Sequence, residues 1–264
     1  MLFANKNLAI DTFVTIFYHY SMLKKVILSL AIWAVAFTLT VLVYLAMLLV
    51  IAISPFDKMR KRAHAQCFWW ARSIVSINPY WNVTVSGLEN IDKNKTYIIV
   101  ANHQSMADII IIYLTRMQFK WVAKESLFKV PFAGWCMSLA RHIKLERGDF
   151  GSIKKVYREA AYWLRGGMSV LFFPEGTRSE DGKLKDFQNG AFKLAIKENI
   201  PVLPISMKGT GAARPKGTWL FQTKIPVSIK VLPAINVSGL GPADFTKLRD
   251  MAHQAIGSSS PLLT

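Results

Sequence analysis

The stretch Thr96–Asp108, TYIIVANHQSMAD, changes character at Asn102. Tyr97 to Ala101 is an unbroken apolar and β-branched run, the pattern of a strand covered on both faces. Asn102 to Ser105 is polar, and a helix is predicted near Met106–Thr115 with Ser105 placed to cap it. A buried strand feeding a short turn and a helix is the repeating unit of an α/β domain.

The same alternation continues on both sides. Strands are predicted in WNVTVSG from Trp81, FKWVAK from Phe119, HIKLER from His142, SVLFFPEG from Ser169, PVLPISM from Pro201 and VSIKVLP from Val227. Helices are predicted over Phe150–Leu164, closed by Gly166-Gly167, over Ala191–Asn199 and over Pro242–Ile256. Residues 79–264 therefore read as one α/β domain, a mixed sheet covered by helices.

The turn after Ala101 holds His103 and, five positions on, Asp108. Within one continuous helix such a pair lies about 140° apart and cannot meet. With His103 in the turn and Asp108 in the first helical turn, the imidazole can fold back over the carboxylate. The carboxylate then fixes Nδ1–H and leaves Nε2 as a base, which an alcohol needs before it attacks. Taken alone, the spacing also fits a strand end and a helix start with no chemistry.

FFPEGTRSEDGKL carries a second set of candidates at the end of the Ser169 strand, where ligands bind in open α/β sheets. Gly176 permits a tight turn whose N–H groups can face an anion, Thr177 offers a hydroxyl and Arg178 a planar fork for phosphate. Glu175 can hold Arg178 or bind a substrate hydroxyl. A plain polar turn is the competing reading, and the spacing is not that of a nucleotide-binding Walker loop. Lys124 and Arg147, each near a strand end, can reach the same phosphate or stay solvated. Trp135, Met137 and Leu139 between them suit a core or an acyl-chain wall.

The N-terminal part is of another kind. Val26–Ser54 contains no charged residue, and a helix of that length reaches about 40 Å, beyond the roughly 30 Å hydrocarbon core of a bilayer. It is too long for a signal peptide and is followed by PFDKMRKR. The basic cluster Lys58, Arg60, Lys61, Arg62 exceeds Lys24 and Lys25 at the other end, which favours a cytoplasmic side after the helix. A tilted or re-entrant helix with both ends on one side fits equally. Asp57–Asn78 is expected to form a basic amphipathic helix with Phe68, Trp69 and Trp70 at a headgroup interface. Residues 1–25 form an N-terminal extension, of which 1–21 are expected to be dispensable, since Met22 is a plausible start. Deleting residues 1–78 is expected to release the protein from membranes.

The net charge is +17 over 264 residues, and +11 remains after residues 1–25 and 54–78 are set aside. Such a balance attracts anionic lipids, phosphorylated small molecules or nucleic acid. No nucleic-acid-binding signature is present, and the apolar segment points to lipid. Cys67 and Cys136 sit among apolar residues and suggest neither a disulfide framework nor a metal site. His19, His64, His142 and His253 have no carboxylate at a suggestive spacing and are expected at interfacial or surface positions.

Together, NHQSMAD, KESLFKVPFAGW with IKLER, FPEGTRS and VLPIS resemble, in order and spacing, the glycerolipid acyltransferase family. The likeness is greatest to 1-acyl-sn-glycerol-3-phosphate acyltransferases of the bacterial PlsC type, and it covers roughly residues 80–231. It implies the glycerolipid acyltransferase fold behind an N-terminal membrane-associated segment. It also implies acyl transfer from acyl-CoA or acyl-carrier protein to the sn-2 hydroxyl of lysophosphatidic acid, at the cytoplasmic face of the inner membrane. By the same resemblance His103 is the general base and Asp108 its orienting partner. Lys124, Arg147, Glu175, Gly176, Thr177 and Arg178 bind substrate, and Pro204 shapes the site. No metal, no cofactor and no acyl-enzyme are implied, so Ser105 and Cys136 are not nucleophiles. Met106 and Ala107 stand where relatives often carry an aromatic and a leucine, which bears on the acceptor. Other lysophospholipids, or a non-catalytic membrane module, are the competing readings; intact His103, Asp108, Glu175 and Arg178 argue against the last.

Overall fold

The computed structural model describes residues 2–146, 148–179, 182–213, 217–221 and 224–259, with side chains from residue 17 onward apart from that of residue 150. Helix α1 (Leu2–Ile53) and helix α2 (Lys61–Ile77) precede the sheet. The remaining elements are β1 (Trp81–Ser86), β2 (Ile98–Ala101), α3 (Ala107–Ile111), β3 (Phe119–Lys124), α4 (Ala133–Leu139), β4 (Ile143–Leu145), α5 (Phe150–Arg165), β5 (Ser169–Phe172), α6 (Gly190–Glu198), β6 (Val202–Lys208), α7 (Thr210–Ala213), β7 (Ile225–Val231) and α8 (Phe245–Ser258).

The seven described strands lie in the order β1-β7-β6-β2-β5-β3-β4, all parallel pairs except the antiparallel β6–β7. Strand β2 is central. The chain builds β3, β4 and β5 on one side of it, then crosses to β6 and β7 on the other, so the sheet has its topological switch point at β2. The strand's alternation divides the core. Ile99 and Ala101 face one apolar cluster with Ala71 and Ile74 of α2 and Ile111 of α3. Ile98 and Val100 face a second cluster under α5, α6 and α8. Burial on both faces explains the unbroken apolar run of β2. Pro204 sits inside β6 although it has no N–H to donate. Its carbonyl accepts from Leu232 N at 2.9 Å, on the side where β7 is already ending, so no ladder donor is missing there.

Helix α1 has neither glycine nor proline before Pro55, and it runs unbroken through the predicted extension and the apolar segment. The expected boundary at residue 25 is therefore not a boundary between elements. Its span Phe17–Ile53 is long and apolar enough to cross a membrane. One stripe docks on the domain: Ile32, Val43 and Met47 are buried, and Ala36 and Leu39 pack beside them. The opposite stripe, Leu42, Leu45, Leu49 and Ile53, is exposed. Polar pairs hold the dock along its length. Phe221 N donates to Ser29 Oγ at 3.0 Å, Trp33 Nε1 to Trp219 O at 2.8 Å, Trp70 Nε1 to Thr40 Oγ1 at 3.0 Å and an Arg62 guanidinium nitrogen to Ser54 Oγ at 2.9 Å.

Helix α2 starts at Lys61, four residues later than expected. Asp57–Arg60 is instead a corner, with Arg60 in the left-handed region at φ 56° and the Asp57 carboxylate accepting from the N–H groups of Lys61 and Arg62. The aromatic trio divides as well: Trp69 is exposed, whereas Phe68 and Trp70 pack against the core. Two histidines expected outside lie inside. His64 is buried against Phe68, Tyr113 and Phe119, and burial lowers its pKa to about 3. His142 is buried too and held far below the usual imidazole range, its Nδ1 accepting from Trp121 N at 3.0 Å. An imidazole in an apolar site is tolerated when neutral, which spacing to a carboxylate does not reveal. Beside them Lys120 is fully buried, its ammonium donating to Met59 O at 2.7 Å and Ala140 O at 2.6 Å over the Trp163 ring. Desolvation lowers its pKa to about 7. It ties the α1–α2 corner to the end of α4.

Candidate active site

The register of the central strands places the candidates. Val100 on β2 pairs with Phe172 on β5. His103 and Glu175 each lie three residues beyond that pair, on loops that leave the sheet side by side. His103 N donates to Glu175 Oε1 at 2.6 Å, and Ser179 N donates to His103 O at 2.8 Å. Asn102 anchors the loop start by exchanging two 2.8 Å bonds with the backbone of Met207 on β6.

The imidazole is held as firmly as its backbone. Nδ1 is 2.7 Å from Asp108 Oδ2. That oxygen also accepts from Gln104 N at 2.7 Å and Ser105 N at 2.8 Å. A carboxylate oxygen already used as an acceptor makes Nδ1 the donor and leaves the Nε2 lone pair free. The ring stacks on Phe173 at 4.0 Å between centroids with planes 13° apart, and Phe173 rests against Trp121. Asp108 is fully buried while His103 keeps 14% of its side chain exposed, enough for one face to meet a substrate. Helix α3 begins at Ala107, with Met106 in the cap position and no side-chain cap there. Ser105 Oγ still accepts from Ala107 N at 3.3 Å. His103 thus lies off the helix and Asp108 in its first turn, the only arrangement in which this spacing closes a hydrogen bond.

His103 opens on a cavity of about 540 Å³. Its lining includes the apolar or aromatic Ile109, Tyr113, Trp121, Leu127, Met137 and Leu145 as well as Lys124, Tyr157, Glu175, Gly176, Thr177 and Gln188. Met106 lines it as well, whereas Ala107 is buried in the core. Among the motif residues, Lys124, Glu175, Gly176 and Thr177 meet His103 in this cavity. Arg178, half-buried, is not among the lining residues. Arg147 lies outside the described residues. The Glu175 oxygens accept from His103 N and Lys185 N, so the side chain holds the two loops together where it lines the cavity. Burial pushes its carboxyl above the ordinary range, against the pull of those two amides.

Comparison with known proteins is consistent with this geometry. The acyltransferase family model matches residues 82–208. A 1-acyl-sn-glycerol-3-phosphate acyltransferase of Pseudomonas aeruginosa is 33% identical over 187 residues, 70% of this chain and 69% of that protein. The chain belongs to the 1-acyl-sn-glycerol-3-phosphate acyltransferase family. A Chlamydomonas reinhardtii protein of the same name is 37% identical over 211 residues, 79% of this chain. This chain spans 62% of that algal relative and 47% of a chloroplastic one from Brassica napus. The crystal structure of the 1-acyl-sn-glycerophosphate acyltransferase PlsC from Thermotoga maritima superposes with a TM-score of 0.75 at 29% identity. The match covers 90% of this chain and 95% of that one.

Several residues of this candidate site were not legible as motifs. Asn102, Phe173, Ser179 and Lys185 act through backbone contacts or ring stacking that only the paired loops create. Lys185 Nζ donates to Arg178 O at 2.9 Å and Thr177 Oγ1 at 3.3 Å and so braces the turn. Tyr157 and Gln188 reach the cavity from α5 and the residues before α6. A faint signal existed in the clustering of GKLKDFQNG just after the EGTR turn.

Proposed function

We propose that the protein transfers an acyl chain from acyl-CoA or acyl-carrier protein to the sn-2 hydroxyl of lysophosphatidic acid, giving phosphatidic acid. The observation that carries this reading is the 2.7 Å His103–Asp108 pair opening on a cavity lined by both polar and apolar side chains. His103 Nε2 takes the proton of the sn-2 hydroxyl as its oxygen attacks the donor thioester carbonyl. Asp108 stabilises the imidazolium that forms. The tetrahedral intermediate then breaks its carbon–sulfur bond, and His103 returns the proton to the departing thiolate. Lys124 and the Gly176–Thr177 turn are the groups offered to the acceptor phosphate, with Arg178 and Arg147 assisting. The reaction as proposed draws on no cofactor.

The site of action is proposed as the cytoplasmic face of the inner membrane. Helix α1 contacts the domain from Ser29 to Ser54, so its outward stripe enters lipid with the domain alongside it. The +11 charge outside residues 1–25 and 54–78 supports attraction to an anionic lipid surface.

The test is turnover by purified full-length enzyme of lysophosphatidic acid against lysophospholipids with other headgroups, with both donor types and a range of chain lengths. A kcat/KM for lysophosphatidic acid at least about tenfold above the others is expected. Preference for another headgroup favours a different acceptor, and no turnover with any pair favours a non-catalytic membrane module.

A further inference from the structure

We propose that Tyr157 and Gln188 set acceptor specificity: the Tyr157 hydroxyl and the Gln188 amide donate hydrogen bonds to the phosphate of the acyl acceptor. The inference rests on the lysophosphatidic acid reading and adds residues that no motif contains.

Three observations lead to it. Tyr157, on α5, lines the cavity that His103 opens on. Its hydroxyl lies against Gly190, so close that a methyl group added at Gly190 would overlap it. No donor or acceptor meets that hydroxyl among the described residues. The hydroxyls of Tyr97 and Tyr113, both buried, are by contrast partnered, by Asp92 N at 3.1 Å and Trp121 Nε1 at 2.7 Å. A half-buried phenol left without a partner beside a cavity is a donor directed at whatever fills it.

Gln188, which is exposed, adds a second polar head to the lining of the same cavity. Its Nε2 would lie 2.8 Å from a Cβ at Gly176, which has a positive φ of 71°. Its backbone N–H donates to Pro174 O at 2.9 Å, which pins residue 188 over the EGTR turn. Its side-chain amide has no hydrogen-bond partner among the described residues. Two glycines thus make room for two polar heads, on residues that line the cavity together with Lys124 and Thr177.

The chemistry selects the ligand. Gln188 lies against Gly176 of the EGTR turn, and Lys124, Tyr157 and Thr177 line the same cavity as the apolar Ile109, Trp121 and Met137. A lysine, two hydroxyls and an amide supply N–H and O–H donors to an anion with several acceptor oxygens, a phosphate monoester. Burial raises the Tyr157 phenol pKa, which keeps its proton available at neutral pH.

The experiment is steady-state kinetics of purified full-length wild type, Tyr157→Phe and Gln188→Ala. The acceptors are lysophosphatidic acid and the matching monoacylglycerol, which lacks the phosphate. Loss of one hydrogen bond to a charged group should raise the KM for lysophosphatidic acid about tenfold. The turnover number and the donor KM should stay within about twofold, and the preference for the phosphorylated acceptor should fall about tenfold. An unchanged KM, a rise in donor KM instead, or an equal loss on both acceptors overturns the assignment. Gly190→Ala, which displaces the hydroxyl, should reproduce the KM rise. Calorimetric titration of lysophosphatidic acid onto His103→Ala, with and without Tyr157→Phe, reads the same bond without catalysis; equal affinities overturn it. Failure of the wild type to acylate lysophosphatidic acid would instead count against the acceptor reading, while the titration still judges Tyr157.

Discussion

At the scale of single residues, the site is a problem of holding one imidazole still. His103 is bound at its N–H by Glu175, at its carbonyl by Ser179 and at Nδ1 by Asp108, and its ring lies on Phe173. Only Nε2 is left to work. Replacing His103 by Ala removes the base, and turnover should fall on the order of 10²- to 10⁴-fold. Sedimentation with lipid vesicles should show membrane association unchanged, because α1 is untouched. Glu175 gives a sharper contrast. In Glu175→Gln one of the two accepting oxygens becomes an amide NH₂ facing a backbone N–H. The loop carrying His103 should shift, and kcat should drop roughly 10- to 100-fold with both KM values nearly constant. A change confined to the acceptor KM would show that Glu175 touches substrate after all. The pair His103–Asp108 was legible from the residues, because strand, turn and helix start were legible around it. The role of Glu175 was not, since it depends on the pairing of Val100 with Phe172 across the sheet.

At the scale of elements, α1 has two apolar stripes with separate jobs. Composition reveals an apolar helix but not that one stripe of it is docked on the domain. That fact changes what truncation does. Removing residues 1–78 takes Ile32, Cys67, Ala71 and Ile74 out of the main core cluster. At about 1.5–3 kcal/mol for each large buried side chain, together with the exposed partners, this consumes much of a typical 5–15 kcal/mol stability. Such a deletion should therefore give aggregated chain rather than a free catalytic domain. Release from membranes is better sought with Leu42→Glu, Leu45→Glu and Leu49→Glu together, all on the exposed stripe. That variant should stay folded by circular dichroism and shift from vesicle pellet to supernatant. A chain starting at Met22 keeps every α1–domain contact from Ser29 onward and should retain activity.

At the scale of the whole molecule, buried basic groups set the response to pH. His64 has its pKa lowered to about 3 from 6.5, and His142 shifts the same way. Between those limits the unfolded chain binds protons that the folded chain refuses, so stability falls as pH drops below about 6.5. Each imidazole contributes a slope approaching one decade in the folding equilibrium per pH unit. Lys120 acts in a higher window: its folded pKa of about 7 against 10.5 makes stability rise with pH between the two. Urea melts from pH 8 to pH 5 should show a steady loss, and His64→Leu should flatten the part below pH 6.5. An unchanged slope would mean that His64 charges in the folded state.

The sequence by itself determined the α/β alternation, the apolar helix, the His103–Asp108 pair and the EGTR turn after β5. These follow from local periodicity and from residue types at short spacing, which the chain cannot hide. Tertiary structure decided which loops meet, that Glu175 accepts from the backbone of both, and that Tyr157 and Gln188 line the cavity whereas Arg178 is not among its lining residues. It also decided that His64, His142 and Lys120 are interior and that α1 packs one stripe on the domain and leaves the opposite stripe exposed. Each of these depends on contacts between segments far apart in the chain, where strand order and register, not spacing, set the distance.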